Sequence, residues 1–141
     1  MKVEENIFFI LTKLQLSVQQ KFKNELKPFG ITPVQNAVLS CLWDTDGQTP
    51  GQLGERLFLD SSSITGILDR LEQKGLIERK PSPKDRRALQ VNLTERGRDL
   101  KKPVMKAAIK ANQTVLANLS NEETRIFLST LKKIECFKSI S

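Results

Sequence analysis

Apolar residues recur at three- and four-residue steps from the start of the chain. Ile7, Leu11, Leu14, Val18, Phe22 and Leu26 make one stripe, while Lys13, Gln19, Lys23 and Lys27 lie elsewhere on the surface. The spacing predicts a helix over residues 4–28, ended by Pro28-Phe29-Gly30. At about 1.5 Å per residue it would be roughly 37 Å long, more than a small core covers. Such a helix folds back on its own domain or lies against a partner, and its length favours the partner.

Thr32-Pro33-Val34-Gln35 is a helix start: Thr caps, Pro takes the first helical position and Gln returns a hydrogen bond. Val34, Ala37, Val38, Cys41 and Leu42 then share one face, and Asp44-Thr45-Asp46-Gly47 ends the helix. Thr49-Pro50-Gly51-Gln52 repeats the same start. Its brief helix has Leu53, Leu57 and Phe58 as inward candidates. Leu59-Asp60-Ser61-Ser62-Ser63 turns into a third helix, capped by Asp60 or Ser61. Ile64, Ile67, Leu68 and Leu71 serve its core side, and Lys74-Gly75 stops it. Two short capped helices joined by a tight polar turn are a helix-turn-helix pattern.

The period then falls to two. Leu76-Ile77-Glu78-Arg79-Lys80 reads as a strand, and Pro81 and Pro83 are expected to block further pairing and stiffen the hairpin tip. In the return strand Leu89, Val91 and Leu93 point one way, with Ala88, Gln90 and Asn92 opposite. From Thr94 the helical period returns and runs to about Asn118, through Leu100, Val104, Ala107 or Ala108, Ala111, Val115 and Leu119. Pro103, placed beyond the first turn, predicts a bend. Ser120-Asn121-Glu122-Glu123 is a capping box that opens a last helix with Ile126, Phe127, Leu131, Ile134 and Phe137 apolar. The fold class is therefore mainly α, with a β-hairpin at its centre and long helical arms at both ends.

Charge sharpens this picture. Of a net +7, residues 70–110 hold 13 Lys/Arg and five Asp/Glu, while all other positions hold 10 and 11. A surplus confined to the hairpin and its flanks is the footprint of a polyanion partner. The helix before the hairpin leaves Ser62, Ser63, Thr65, Gly66, Asp69 and Arg70 on its outer faces. Small hydroxyl residues let a helix sit deep in a major groove, helped by the positive end of its dipole. Read alone, the three serines serve equally as caps. The hairpin tip carries Lys84, Arg86 and Arg87 with one acid, Asp85, expected to pin Arg87 and hold its guanidinium in place. An arginine on a stiff tip suits a narrow minor groove.

Other classes find little support. There is no histidine, no Gly-rich phosphate loop and no nucleophile–base set, so catalysis and a bound cofactor are not expected. Asp44/Asp46 and Glu122/Glu123 sit at a turn or a helix start, where acids are usual. Cys41 and Cys136 are too far apart for a ligand motif; Cys41 falls on a buried helical face as core filler, and Cys136 near the end is more exposed. No apolar run approaches the roughly 18 residues that span a bilayer, so no membrane partner is expected. Glu4 and Glu5 argue against reading the N-terminus as a signal peptide, which leaves a cytoplasmic, nucleoid-associated protein. The helix–hairpin unit has no aromatic platform for RNA bases.

Leu68-Asp69-Arg70-Leu71-Glu72-Gln73-Lys74-Gly75-Leu76-Ile77-Glu78-Arg79 resembles the recognition-helix exit of the MarR family of bacterial transcription regulators. Asp85-Arg86-Arg87, followed by Val91-Asn92-Leu93-Thr94-Glu95-Arg96-Gly97, is similar to the family's wing, and the order of elements matches over essentially the whole chain. The resemblance implies an obligate homodimer with a winged helix-turn-helix in each subunit, of about six helices plus a two- to three-stranded β-wing. Residues 1–30 and 95–141 would interlock as dimerisation helices, residues 31–94 would form the DNA-binding domain, and a short third strand would lie near Gln48-Thr49. It also implies double-stranded DNA as partner, at a palindromic operator and usually in repression. Many members release it on binding a small aromatic or lipophilic effector, or on cysteine oxidation.

Position by position, the resemblance puts Ser61, Ser62, Ser63, Thr65 and Gly66 on the major-groove helix. Arg70 matches a backbone-contacting position, Asp85 the wing-stabilising acid and Arg87 the minor-groove arginine, with Lys84 and Arg86 as phosphate contacts. Many relatives carry Arg or Lys where this chain has Gly66, which moves base readout toward the serines, Thr65 and the wing. Redox-sensing relatives carry a cysteine in the first helix, and this chain has none there; the lack of histidine argues against the zinc-sensing members. The same basic patch also suits a reading from another class, a helical protein-interaction module docking an acidic partner. The two separate on specificity, since only a sequence reader prefers one DNA over random DNA.

Overall fold

The computed structural model describes residues 1–134; Cys136 and Phe137 lie outside the described residues. The first helix, α1 (Ile7–Leu26), is shorter than the expected 4–28. Asn6 stands extended before it and accepts a hydrogen bond from the Phe8 N–H at 2.9 Å. Tighter 3-10 turns, Val3–Glu5 and Lys27–Phe29, take the flanking residues.

Helices α2 (Pro33–Asp44), α3 (Pro50–Leu57) and α4 (Ser61–Gln73) form the centre. The first two open with the expected reciprocal caps. Thr32 Oγ1 accepts from the Gln35 N–H at 3.2 Å, and Gln35 Oε1 from the Thr32 N–H at 3.1 Å. Thr49 and Gln52 do the same at 3.1 and 2.9 Å. Asp60, not Ser61, caps α4, accepting from the Ser63 N–H at 2.7 Å.

Strands β1 (Ile77–Pro81) and β2 (Leu89–Leu93) pair antiparallel, with Ile77 opposite Leu93 and Pro81 opposite Leu89. Pro81 does not end the pairing: beyond it the Ser82 N–H donates to the Ala88 carbonyl at 2.8 Å. At the other end the Thr94 N–H donates to the Leu76 carbonyl. The hydrogen-bonded positions of β1 are thus the even ones, and Pro81 falls where its missing N–H points away from β2. The expected third strand is a single bridge, in which the Val91 N–H donates to the Gln48 carbonyl at 2.8 Å.

The long C-terminal helix is broken. Thr94 caps α5 (Glu95–Asp99), and α6 (Lys101–Val115) starts anew after Leu100. Pro103 is the third residue of α6, so it opens a helix instead of bending one. Helix α7 (Asn121–Ile134) begins with the expected box, Ser120 and Glu123 exchanging bonds at 3.1 and 3.0 Å.

The core gathers Val38, Leu39 and Leu42 of α2, Leu53 of α3, Ile64, Leu68 and Leu71 of α4, Ile77 and Val91 of the hairpin, Leu26 of α1 and Val104 of α6. The helical arms are therefore rooted in the same core as the central unit. Three inward expectations fail. Val34 is exposed in the first turn of α2, and Leu39 takes a core place instead. Phe58 ends α3 in a left-handed conformation (φ 55°) and is 53% exposed, because the helical face stops before it. Leu89 is 47% exposed, since the wing extends past the core. Helix α1 packs along α6, but Phe8, Phe9, Ile10 and Leu11 remain exposed. No described residue of α7 is buried.

Candidate nucleic-acid interface

The outer face of α4 follows from which residues its core side claims. Ile64, Leu68 and Leu71 are buried, and Ser61, Ser62, Ser63, Thr65, Gly66, Asp69 and Arg70 are all exposed. With Asp60 as cap, Ser61 and Ser62 stand in the first turn with no side-chain capping duty, while Ser63 offers both its N–H and its hydroxyl to the Asp60 carboxylate. The Ser63 N–H draws the exposed Asp60 carboxyl below its usual range. That carboxylate already meets the positive end of the helix dipole, so the dipole alone is a weaker lure for phosphate than expected. Thr65 Oγ1 donates to the Ser61 carbonyl at 2.7 Å and keeps acceptor capacity outward. A Cβ added at Gly66 would meet nothing within 4 Å, so the helix there is a bare strip of backbone open to close approach.

The wing tip is held by its own short-range bonds. Asp85 Oδ1 accepts from the Arg87 N–H at 3.0 Å, the Ala88 N–H donates to the Asp85 carbonyl at 3.0 Å, and the Lys84 N–H to Ser82 Oγ at 3.3 Å. Asp85 thus grips the main chain of Arg87; the expectation that it holds the guanidinium is not met. Lys84, Arg86 and Arg87 are exposed, and no ion pair among the described residues involves them or Arg70. Arg79 differs: its guanidinium lies 2.6 Å from Asp69 and 2.9 Å from Glu72. Asp69, read from the sequence as an open outer residue, is therefore occupied.

Several supporting residues were invisible to sequence reasoning. Asp46, read only as part of a helix break, accepts from the Gly47 N–H at 3.0 Å and the Leu93 N–H at 2.9 Å, tying the base of the wing to the α2–α3 loop. Gln48 donates to the Cys41 and Thr45 carbonyls at 2.8 and 2.6 Å and closes the end of α2. Trp43 Nε1–H donates to the Gly97 carbonyl at 2.9 Å. Gln35, 3% exposed, accepts from Lys74 Nζ at 2.8 Å, and Lys74 also donates to the Gly30 carbonyl. Apart from the local Asp46-Gly47 and Gln48 contacts, these partners sit tens of residues apart and leave no local signal. Cys41 is buried, and desolvation pushes its thiol up, away from the reactive thiolate. Among the described residues no cluster suits a metal ion, and no helix is long and apolar enough to cross a membrane.

Comparison with known proteins converges on this unit. The sequence model of the MarR family matches residues 31–89. The chain is similar to the HTH-type transcriptional regulator MhqR of Bacillus subtilis, 31% identical over 128 residues, which cover 91% of this chain and 88% of that protein. It is 39% identical to the organic hydroperoxide resistance transcriptional regulator of the same species, over 72% of this chain and 69% of that one. Among solved structures, a probable transcriptional regulator from Pseudomonas aeruginosa superposes with a TM-score of 0.90 at 32% identity, covering 95% of this chain and 100% of that one. A mutant MarR from E. coli complexed with operator DNA gives 0.86 at 28% identity, covering 95% and 98%.

Proposed function

This chain belongs to the MarR family of DNA-binding transcriptional regulators, and on that premise we propose that it works as a homodimer that represses by occupying a palindromic operator. The observation that carries the reading is a pair of exposed elements. One is the α4 face of Ser61, Ser62, Ser63, Thr65 and Gly66; the other is a wing tip whose Lys84, Arg86 and Arg87 are in no ion pair among the described residues. In this reading α4 enters the major groove, Arg87 enters the flanking minor groove, and Arg70, Lys84 and Arg86 meet phosphates. Asp85 keeps the wing in shape through the Arg87 main chain.

The exposed apolar positions of α1 and α7 support the dimer; in this reading residues 1–30 and 95–141 dimerise and residues 31–94 bind DNA. An open groove of about 420 Å³ between α1 and α2, with Val18, Phe22, Pro33 and Val34 beside the polar Gln15, Gln19 and Thr32, is the place proposed for a small effector that releases DNA. Titration of Arg87→Ala against the operator tests the wing. The expected loss is about 1–3 kcal/mol. Equal affinity of variant and parent across salt concentrations would remove Arg87 from the interface.

A further inference from the structure

The two elements read as DNA-contacting are joined by one side chain. Arg79 lies on β1, and its partners Asp69 and Glu72 lie three residues apart on α4, hence on one helix face. Glu72 is gripped twice, by the guanidinium at 2.9 Å and by the Arg79 backbone N–H at 3.0 Å. The Arg79 side chain is only 20% exposed, against 49% for Asp69 and 40% for Glu72. Between the two elements runs the Lys74-Gly75 turn, with Gly75 at φ 74°.

We propose that Arg79 is a positioning residue that sets the wing against the recognition helix, and that Asp69 and Glu72 strengthen operator binding by holding it. A helix in one groove and a wing tip in the next must hold a set angle to engage together, and fixing that angle beforehand removes an ordering cost from binding. The clamp's single positive charge also offsets part of the negative charge of two carboxylates on a helix that has to approach phosphates. Its bonds hold the Glu72 carboxyl below its ordinary range, and Glu72, then Asp69, hold the Arg79 guanidinium up, so the clamp stays charged at neutral pH.

This inference rests on the DNA-binding reading, and it makes a prediction opposite in sign to plain electrostatics. Removing an acid beside a polyanion should tighten binding; removing part of the clamp should weaken specific binding. The full chain, with Glu72→Gln, Asp69→Asn and Arg79→Gln variants, is titrated against the duplex that the parent enriches from random DNA and against a scrambled duplex. Glu72→Gln and Arg79→Gln are each expected to lose roughly tenfold in affinity for the enriched duplex, about what one charge-assisted hydrogen bond contributes. Asp69→Asn should lose less, and combining Glu72→Gln with Arg79→Gln should cost no more than either alone. Affinity for the scrambled duplex should hold or rise, and the salt dependence should stay at the parental slope.

Tighter or unchanged binding of the enriched duplex by Glu72→Gln would overturn the proposal. So would a salt slope reduced by about one in Arg79→Gln, which marks a direct phosphate contact. Circular-dichroism melts verify that each variant is folded at the temperature of the titration. A parent that enriches no sequence overturns the DNA-binding reading and this inference together; a specific parent with insensitive variants overturns this inference alone.

Discussion

A Cβ added at Gly97 would lie 2.1 Å from the Leu76 carbonyl oxygen and 3.2 Å from Leu93 Cδ2. Helix α5 therefore rests directly on the backbone where α4 hands over to β1, and any side chain there pushes the wing off its base. Gly97→Ala should lower stability by about 2–3 kcal/mol in chemical denaturation. Gly66 is the opposite case. It sits in open space on the outer face of α4, where glycine only weakens the helix. Gly66→Ala should raise stability by about 0.5–1 kcal/mol. If the bare strip of backbone is there for close approach to DNA, the same variant should bind the operator more weakly. A variant that gains stability and keeps full affinity would leave Gly66 without a role in the interface.

Elements add constraints that single residues do not show. Asp60 caps α4, and its folded carboxyl is drawn below the unfolded value. The sign follows: the cap's contribution is fully present above the ordinary aspartate value of about 4 and is lost as pH falls through the lower folded value. The gap in melting temperature between the parent and Asp60→Ala should close as pH is lowered through that window; a constant gap would mean the charge is not what caps α4. Helix starts were legible in the sequence because Thr32/Gln35, Thr49/Gln52 and Ser120/Glu123 satisfy one another within three residues. Breaks were not. A proline opening a new helix at Pro103 and a proline bending an old one give the same local sequence, and Pro81 is tolerated only because of its register with Leu89. Arg79 was counted with the open basic charge because its partners depend on the angle between β1 and α4, which no local spacing encodes.

At the scale of the whole molecule, large apolar residues stand exposed on both arms: Ile7, Phe8, Phe9, Ile10 and Leu11 on α1 and Ile126, Leu128 and Ile134 on α7. The amphipathic stripes were legible early; which of them is buried within the chain was not, because a stripe does not say whether its cover is intramolecular. Light scattering should give about 32 kDa, twice the 16.0 kDa chain, and Leu11→Glu should shift the mass toward the monomer and lose operator binding with it. In the proposed dimer, two-fold symmetry would set the spacing of the reading heads. The most direct measurement is to enrich bound duplexes from random DNA with the full chain and titrate the winner against its scrambled sequence at physiological salt. The account predicts an inverted repeat with half-site centres about one helical turn, roughly 10 bp, apart, bound at least about 10³-fold more tightly than the scrambled duplex. No enriched repeat, with equal affinity for both duplexes, would contradict it and leave the basic face to an acidic protein partner.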